Sequence, residues 1–165
     1  MRFLIDGYNL LHAVWPAEGR QLRPKAWPRF RQRLLDRLRA FHAGDAEPVT
    51  VVFDAARQPH PEPAEADARG VRVRFAVGYP SADDLIEELI RADSAPARLT
   101  VVSDDRRVRD AARRRGCAVT GCLDYFEHLE HPPPHKGDRP EPPAKPEGLS
   151  ADEVEHWLKE FGGGA

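Results

Sequence analysis

Apolar and polar positions along the chain fall into two alternating rhythms. Short, nearly solid apolar runs, FLI at 3–5, VTVVFD at 49–54 and LTVVS at 99–103, are too brief for helices and rich in β-branched side chains, so they predict buried strands. VRVRF at 71–75 alternates strictly, as a strand with one wet face does, and CAVT at 117–120 predicts a last short strand. Gly7 breaks the first run and is expected to open a loop.

Between these runs the period lengthens to that of a helix. Phe30, Leu34, Leu38 and Phe41 recur every three or four residues from Trp27 to about His42. Ser81 is a good N-cap for a helix over about 82–93 that buries Leu85, Ile86, Leu89 and Ile90. A third helix, about 105–115, turns Val108, Ala111 and Ala112 inward, carries three arginines in its last turn and stops at Gly116. A fourth carries Leu123, Phe126 and Leu129, whereas the polar stretch 57–70, with its prolines, predicts an exposed loop.

Strands separated by helices of this length predict a three-layer α/β domain over 1–130, with a mostly parallel sheet covered on both faces. Right-handed crossovers then bring every strand's C-terminal end to one edge, and Asp6, Asp54 and Asp104 all follow strands there. Residues 131–149 are too rich in proline for a helix and predict an extended linker. Ser150 with Glu153 then starts a short helix to about 161, with Val154, Trp157, Leu158 and Phe161 on one stripe. A helix that short is marginal alone and is expected to dock.

Composition narrows the class. The chain has 165 residues, 41% apolar and 32% charged, and no apolar run approaches the roughly 18 residues a membrane span needs. Asp6 and Asn9 interrupt what would be the apolar part of a signal peptide, so the N-terminus reads as the first strand of a cytoplasmic protein. Cys117 and Cys122 fit no disulfide or zinc pattern and read as reduced and structural. Residues 1–126 hold 21 Arg/Lys against 18 Asp/Glu, and residues 127–165 hold 4 against 9, so the expected body is mildly basic and the tail acidic. Within 20–39, Arg20, Arg23, Lys25, Arg29, Arg31, Arg33, Arg37 and Arg39 face Asp36 alone, a candidate phosphate-facing patch.

The candidate chemistry lies in the carboxylates. Several acids converging at one sheet edge either take up protons or bind a hard cation, so Asp6, Asp54 and Asp104 are candidate ligands for Mg²⁺ or Mn²⁺. Asp83 or Asp84, in the first turn after Ser81, can reach the same edge, and Asp105 can contribute from the outer shell or serve as a helix cap. Asn9 can orient a water or a phosphate oxygen, and Ser103 can donate to a carboxylate or phosphate. Tyr8, His12 and Trp15 could present rings to bases or simply pack. A carboxylate-bound metal rimmed by arginine suits phosphoryl chemistry; no P-loop, zinc cluster or nucleophile elbow is present in the sequence.

IDGYNLL at 5–11, VVFDA at 51–55, SADDLIEELI at 81–90 and VVSDDRRVRDAARRRG at 101–116 resemble the NYN branch of the PIN-like nucleases. The resemblance is specifically to the bacterial YacP-like group, related to ribosome-associated mRNA endonucleases. It implies a Rossmann-like PIN fold and divalent-metal-dependent endonucleolytic cleavage of RNA. By position, Asp6 and Asn9 match the first motif, Asp83 or Asp84 the acidic helix start, Asp104 the strand-end motif, and Asp54 the second strand's acidic position. Ala55 follows Asp54 where the family often has glycine. In the combined reading Asp6, Asp83 or Asp84, and Asp104 hold the metal while Asn9 and Ser103 orient the attacking water. Arg57, Arg106, Arg107 and Arg109 are candidate phosphate clamps, with Arg20, Arg23 and Lys25 on the flanking RNA surface. The expected partners are RNA and the ribosome, with the protein itself a monomer or weak homodimer. Two other classes fit the same acidic edge: an RNA- or ribosome-binding module without catalysis, and a small metal-dependent phosphatase.

Overall fold

The computed structural model describes residues 2–15, 26–43, 49–55, 65–68 and 70–131. The proline-rich segment from 132 on, the expected helix over 150–161, and Arg20, Arg23, Lys25 and Arg57 lie outside the described residues. In chain order the elements are β1 (Arg2–Asp6), α1 (Gly7–Val14), α2 (Trp27–Phe41), β2 (Val49–Phe53), β3 (Glu65–Ala68), β4 (Val71–Phe75), α3 (Ala82–Ala92), β5 (Leu99–Val102), α4 (Arg106–Arg115), β6 (Ala118–Thr120) and α5 (Cys122–Glu130). Among the described residues no helix is long and apolar enough to cross a membrane.

The six strands form one sheet in the order β3-β4-β2-β1-β5-β6. Five of them are parallel, and β3 joins β4 antiparallel at one edge. The chain leaves β1 toward β2 and β4, then returns to β1's other side with β5 and β6. That reversal sets the crevice of an open α/β sheet at the C-terminal ends of β1 and β5.

Because successive strand residues face opposite sides, the sheet carries two cores. Ile5, Val51, Val73 and Val102 pack with Leu10, Leu11, Trp27, Leu34, Leu38 and Tyr125 under α1, α2 and α5. Leu4, Val52 and Val101 pack with Leu85, Ile86, Ile90, Val108 and Ala112 under α3 and α4. Each fully buried aliphatic side chain contributes on the order of 1.5–3 kcal/mol relative to exposure. The result is three layers, helices on sheet on helices, as the alternation of runs predicts.

The expected loop after Asp6 is instead α1. Asp6 accepts the Asn9 N–H at 3.1 Å and caps the helix, so the strand passes directly into it. Gly7 does not break the chain there; it removes a side chain, since an added Cβ would lie 2.3 Å from the Phe53 ring. The polar stretch after residue 56 likewise holds β3, which pairs Glu65–Ala68 with Val71–Arg74. Two further expectations change. Arg31, counted in the basic patch, is buried with its guanidinium 5.1 Å from the centre of the Phe75 ring. In α5 it is Cys122 and Tyr125 that are buried, while Leu123 is exposed.

Candidate active site

Strand β1 delivers Asp6 to the crevice on the side of Leu4, the face covered by α3 and α4. Ser103, just past β5, falls on the same face, and its Oγ donates to Asp6 Oδ2 at 3.3 Å. Both side chains are buried, Ser103 completely. Burial is the main reason the Asp6 carboxyl is pushed up to about 6; the charges of Asp83 and Asp105 push the same way, against the Asn9 N–H and Ser103 hydroxyl bonds.

Helix α3 brings both of its first-turn acids near the site, and their neighbours separate them. Asp84 is the local one: its carboxylate accepts the Ser81 hydroxyl at 2.6 Å and pairs with Arg107 at 2.6 Å, and these contacts hold it below the usual carboxylate range. Asp83 is raised by burial and by Asp105, with Arg107 partly offsetting both. Of the two, Asp83 is therefore the one in charge contact with Asp6.

The adjacent pair Asp104 and Asp105 diverges in the same way. Asp105 caps α4, its Oδ1 accepting the Arg107 and Val108 N–H groups, and it is coupled in charge to Asp6 and Asp83. Asp104 turns toward α5, where its Oδ1 accepts the Cys122 N–H at 3.1 Å and lies 3.6 Å from Arg109. From sequence, Asp104 groups with Asp6 and either Asp83 or Asp84, and Asp105 takes the outer shell or the cap; in the structure Asp105 is the cap and its charge also acts on Asp6. The Gly121 position keeps this corner open, because a Cβ there would lie 3.1 Å from both Asp104 Oδ1 and Asp124 Oδ2.

Asn9 joins the two halves. Its Oδ1 accepts the Asp104 N–H at 3.2 Å and the Cys122 thiol at 3.2 Å. Cys122, read from sequence as structural, thus touches the site, and no spacing rule could have revealed it. Asp54 is half-buried just beyond β2; Asp6 pairs with Val52, which places Asp54 two residues farther along the sheet edge.

The expected phosphate clamps also separate. Arg107 pairs with Asp84 and Glu87, at 2.6 Å each, and so fastens α4 to α3; its guanidinium is committed to carboxylates rather than open to phosphate. Arg109 lies beside Asp104, and Arg106 projects into solvent with Asp110 at 3.7 Å. Tyr8 packs edge-on against Trp27 and Phe53, His12 against Trp27 and Trp15 against Phe30, so these rings are committed to packing.

As a donor set, hard carboxylate oxygens with suppressed ionisation fit a divalent cation that supplies the missing positive charge. Among the described residues, no three or more acidic, histidine or cysteine side chains are grouped closely enough to hold a metal ion as placed.

A three-layer sheet in this order, with an acidic crevice at the β1–β5 reversal, defines the Rossmann-like PIN/NYN class. The YacP-like NYN domain profile matches residues 3–136, and the chain belongs to that family. Its fold is similar to that of Rae1 (YacP) from Bacillus subtilis, at 25% identity and a TM-score of 0.64 over 79% of this chain and 74% of that one. A mutant of the same protein aligns at 23% identity and a TM-score of 0.62, over 78% and 74%. A comparison with curated proteins gives no significant match. Family and fold together indicate a nuclease-type function directed at RNA.

Proposed function

We propose that the protein is an endoribonuclease that hydrolyses phosphodiester bonds in RNA with the aid of Mg²⁺ or Mn²⁺. The observation that supports this most is Asp6, buried at the sheet reversal and facing the charges of Asp83 and Asp105. A buried acid beside two others is costly for folding alone, and it has a purpose if a cation completes the site.

Asp6 and Asp83 would hold the ion, with Asp105 and Asp104 bounding it on the β5 side. When bound, the ion supplies positive charge against the attacked phosphate and makes water acidic enough to be a nucleophile near neutral pH. The Ser103 hydroxyl keeps Asp6 in one orientation through its bond to Oδ2. Arg106 and Arg109, in the first turns of α4, would neutralise the flanking phosphates, Arg109 turning from Asp104 to do so. The YacP-like resemblance supports mRNA on the ribosome, in the cytoplasm, as the setting.

The test is cleavage of a structured and an unstructured RNA with Mn²⁺, Mg²⁺ or EDTA, comparing wild type with Asp83→Asn at matched fold stability. Metal-dependent cutting that vanishes in the variant supports the nuclease. Equal background in both proteins, with RNA still bound, would overturn it in favour of a binding module.

A further inference from the structure

A carboxamide has one acceptor oxygen with two lone pairs and one amino group with two protons. At Asn9 the two neighbours on the α5 side are both donors: the Asp104 N–H, at 3.2 Å, and the Cys122 thiol, at 3.2 Å. An amino group cannot accept from either, so the hydrogen bonds themselves assign the oxygen to that corner. The amino group is then left on the other edge of the planar amide, pointing away from that corner. The Asn9 backbone N–H meanwhile donates to Asp6 Oδ1, which ties the residue to the buried carboxylate.

We infer that Cys122 is a positioning residue: its thiol fixes the orientation of the Asn9 carboxamide, so that the amino group is presented as a donor to an anionic oxygen brought to the Asp6 end of the strands. The oxygen in question is a non-bridging phosphate oxygen or the attacking water, and in that respect the inference rests on the nuclease reading.

The surroundings make the thiol a suitable part. Cys122 is completely buried at the first position of α5, and its N–H is held by Asp104 Oδ1, so the sulfur has little freedom to move. The thiol has one proton to give: Asn9 Oδ1 lies 3.2 Å from the sulfur, and the Asp104 carboxylate beside it is the competing acceptor. The Asp104 N–H alone already favours the oxygen on that side, and the thiol, as a second donor to the same oxygen, raises the cost of turning the amino group toward α5.

The test uses full-length protein and three forms, wild type, Cys122→Ala and Cys122→Ser, matched for thermal stability. Single-turnover cleavage of a short single-stranded RNA in saturating Mn²⁺ gives the rate of the chemical step. Titration of RNA gives its half-saturation separately. The Asn9 side-chain amide is followed by NMR in metal-free protein. Expected is a rate reduced about fivefold to tenfold in Cys122→Ala, with half-saturation little changed, as for the loss of one orienting hydrogen bond. Cys122→Ser, whose hydroxyl also donates, restores the rate to within about threefold, and the Asn9 signals shift in the alanine variant and return in the serine variant.

An alanine variant as fast as wild type, or a serine variant as slow as alanine, overturns the inference, because packing alone would not distinguish the two in this way. If wild type fails to cleave RNA, the nuclease reading falls. The NMR comparison then still decides whether Cys122 orients Asn9: unchanged Asn9 signals in Cys122→Ala overturn it, and shifted signals restored by serine uphold it.

Discussion

The Ser103 hydroxyl donates to Asp6 Oδ2 across 3.3 Å, joining the ends of two neighbouring strands whose residues are 97 apart in sequence. That bond, made inside a buried pocket, holds the central carboxylate in place. It also helps to offset the cost of burying it.

Replacing Asp6 should therefore act in opposite directions on activity and stability. With its pKa raised from 3.8 to about 6, the folded state keeps a proton that the unfolded chain releases, so metal-free stability falls as pH rises between those values. Asp6→Asn removes that penalty and should stabilise the metal-free protein at pH 7.5 by up to about 3 kcal/mol, with little effect at pH 4. RNA cleavage should be lost. Urea unfolding at both pH values in EDTA checks the first part and an RNA cleavage assay the second.

Asp83 and Asp84 should separate cleanly. Asp83→Asn removes a carboxylate coupled to Asp6 and should abolish metal-dependent stabilisation, whereas Asp84→Asn, which loses Ser81 and Arg107, should retain it. An ion at about 100 times its Kd raises stability by about 2.7 kcal/mol, a shift a thermal melt with and without Mn²⁺ resolves readily. Equal responses from both variants would contradict the assignment.

Arg107→Ala should affect the metal rather than the RNA. Its guanidinium is bound by Asp84 and Glu87, so it fixes the start of α4, which Asp105 caps, against α3, which carries Asp83. The variant should bind Mn²⁺ more weakly while the salt dependence of RNA binding keeps its slope. Arg106→Ala should reduce that slope by about 0.7 for a single-stranded RNA, the value for one phosphate contact.

Gly7→Ala should destabilise through overpacking. A Cβ at 2.3 Å from Phe53 Cε1 must displace either the ring or the start of α1, at a cost of about 1–3 kcal/mol. Denaturant unfolding measures it directly. An unchanged midpoint would show that the Phe53 ring moves aside freely.

The strands and their acidic ends are legible in the sequence because buried parallel strands are nearly unbroken apolar runs, and Asp6, Asp54 and Asp104 punctuate them. Ser81 and Gly116 mark their helix ends as local chemistry requires: Ser81 accepts the Asp84 N–H, and Gly116 has φ +83°. Helix α1 was hidden because Gly7 reads as a breaker, although its role is set by a ring from β2. Strand β3 was hidden because EADA offers nothing larger than alanine on its apolar side, and its pairing comes from β4 alone. The cap role of Asp105 is legible as a helix-start acid, but neither the turn of Asp104 toward α5 nor the burial of Arg31 could be read locally. Two adjacent loop residues diverge only when α5 and α3 are present to receive them, and an arginine enters a core only where Phe53 and Phe75 offer their ring faces.

Strand β1 lies between partners that come from opposite ends of the described chain, β2 soon after it and β5 nearly a hundred residues later. During synthesis, an emerging polypeptide shows Asp6 early and Asp83 later, and Ser103, Asp105 and the Cys122 corner follow only after both. The crevice therefore cannot exist until almost the whole domain has been made, so the acids reach one another only when the sheet closes around β1.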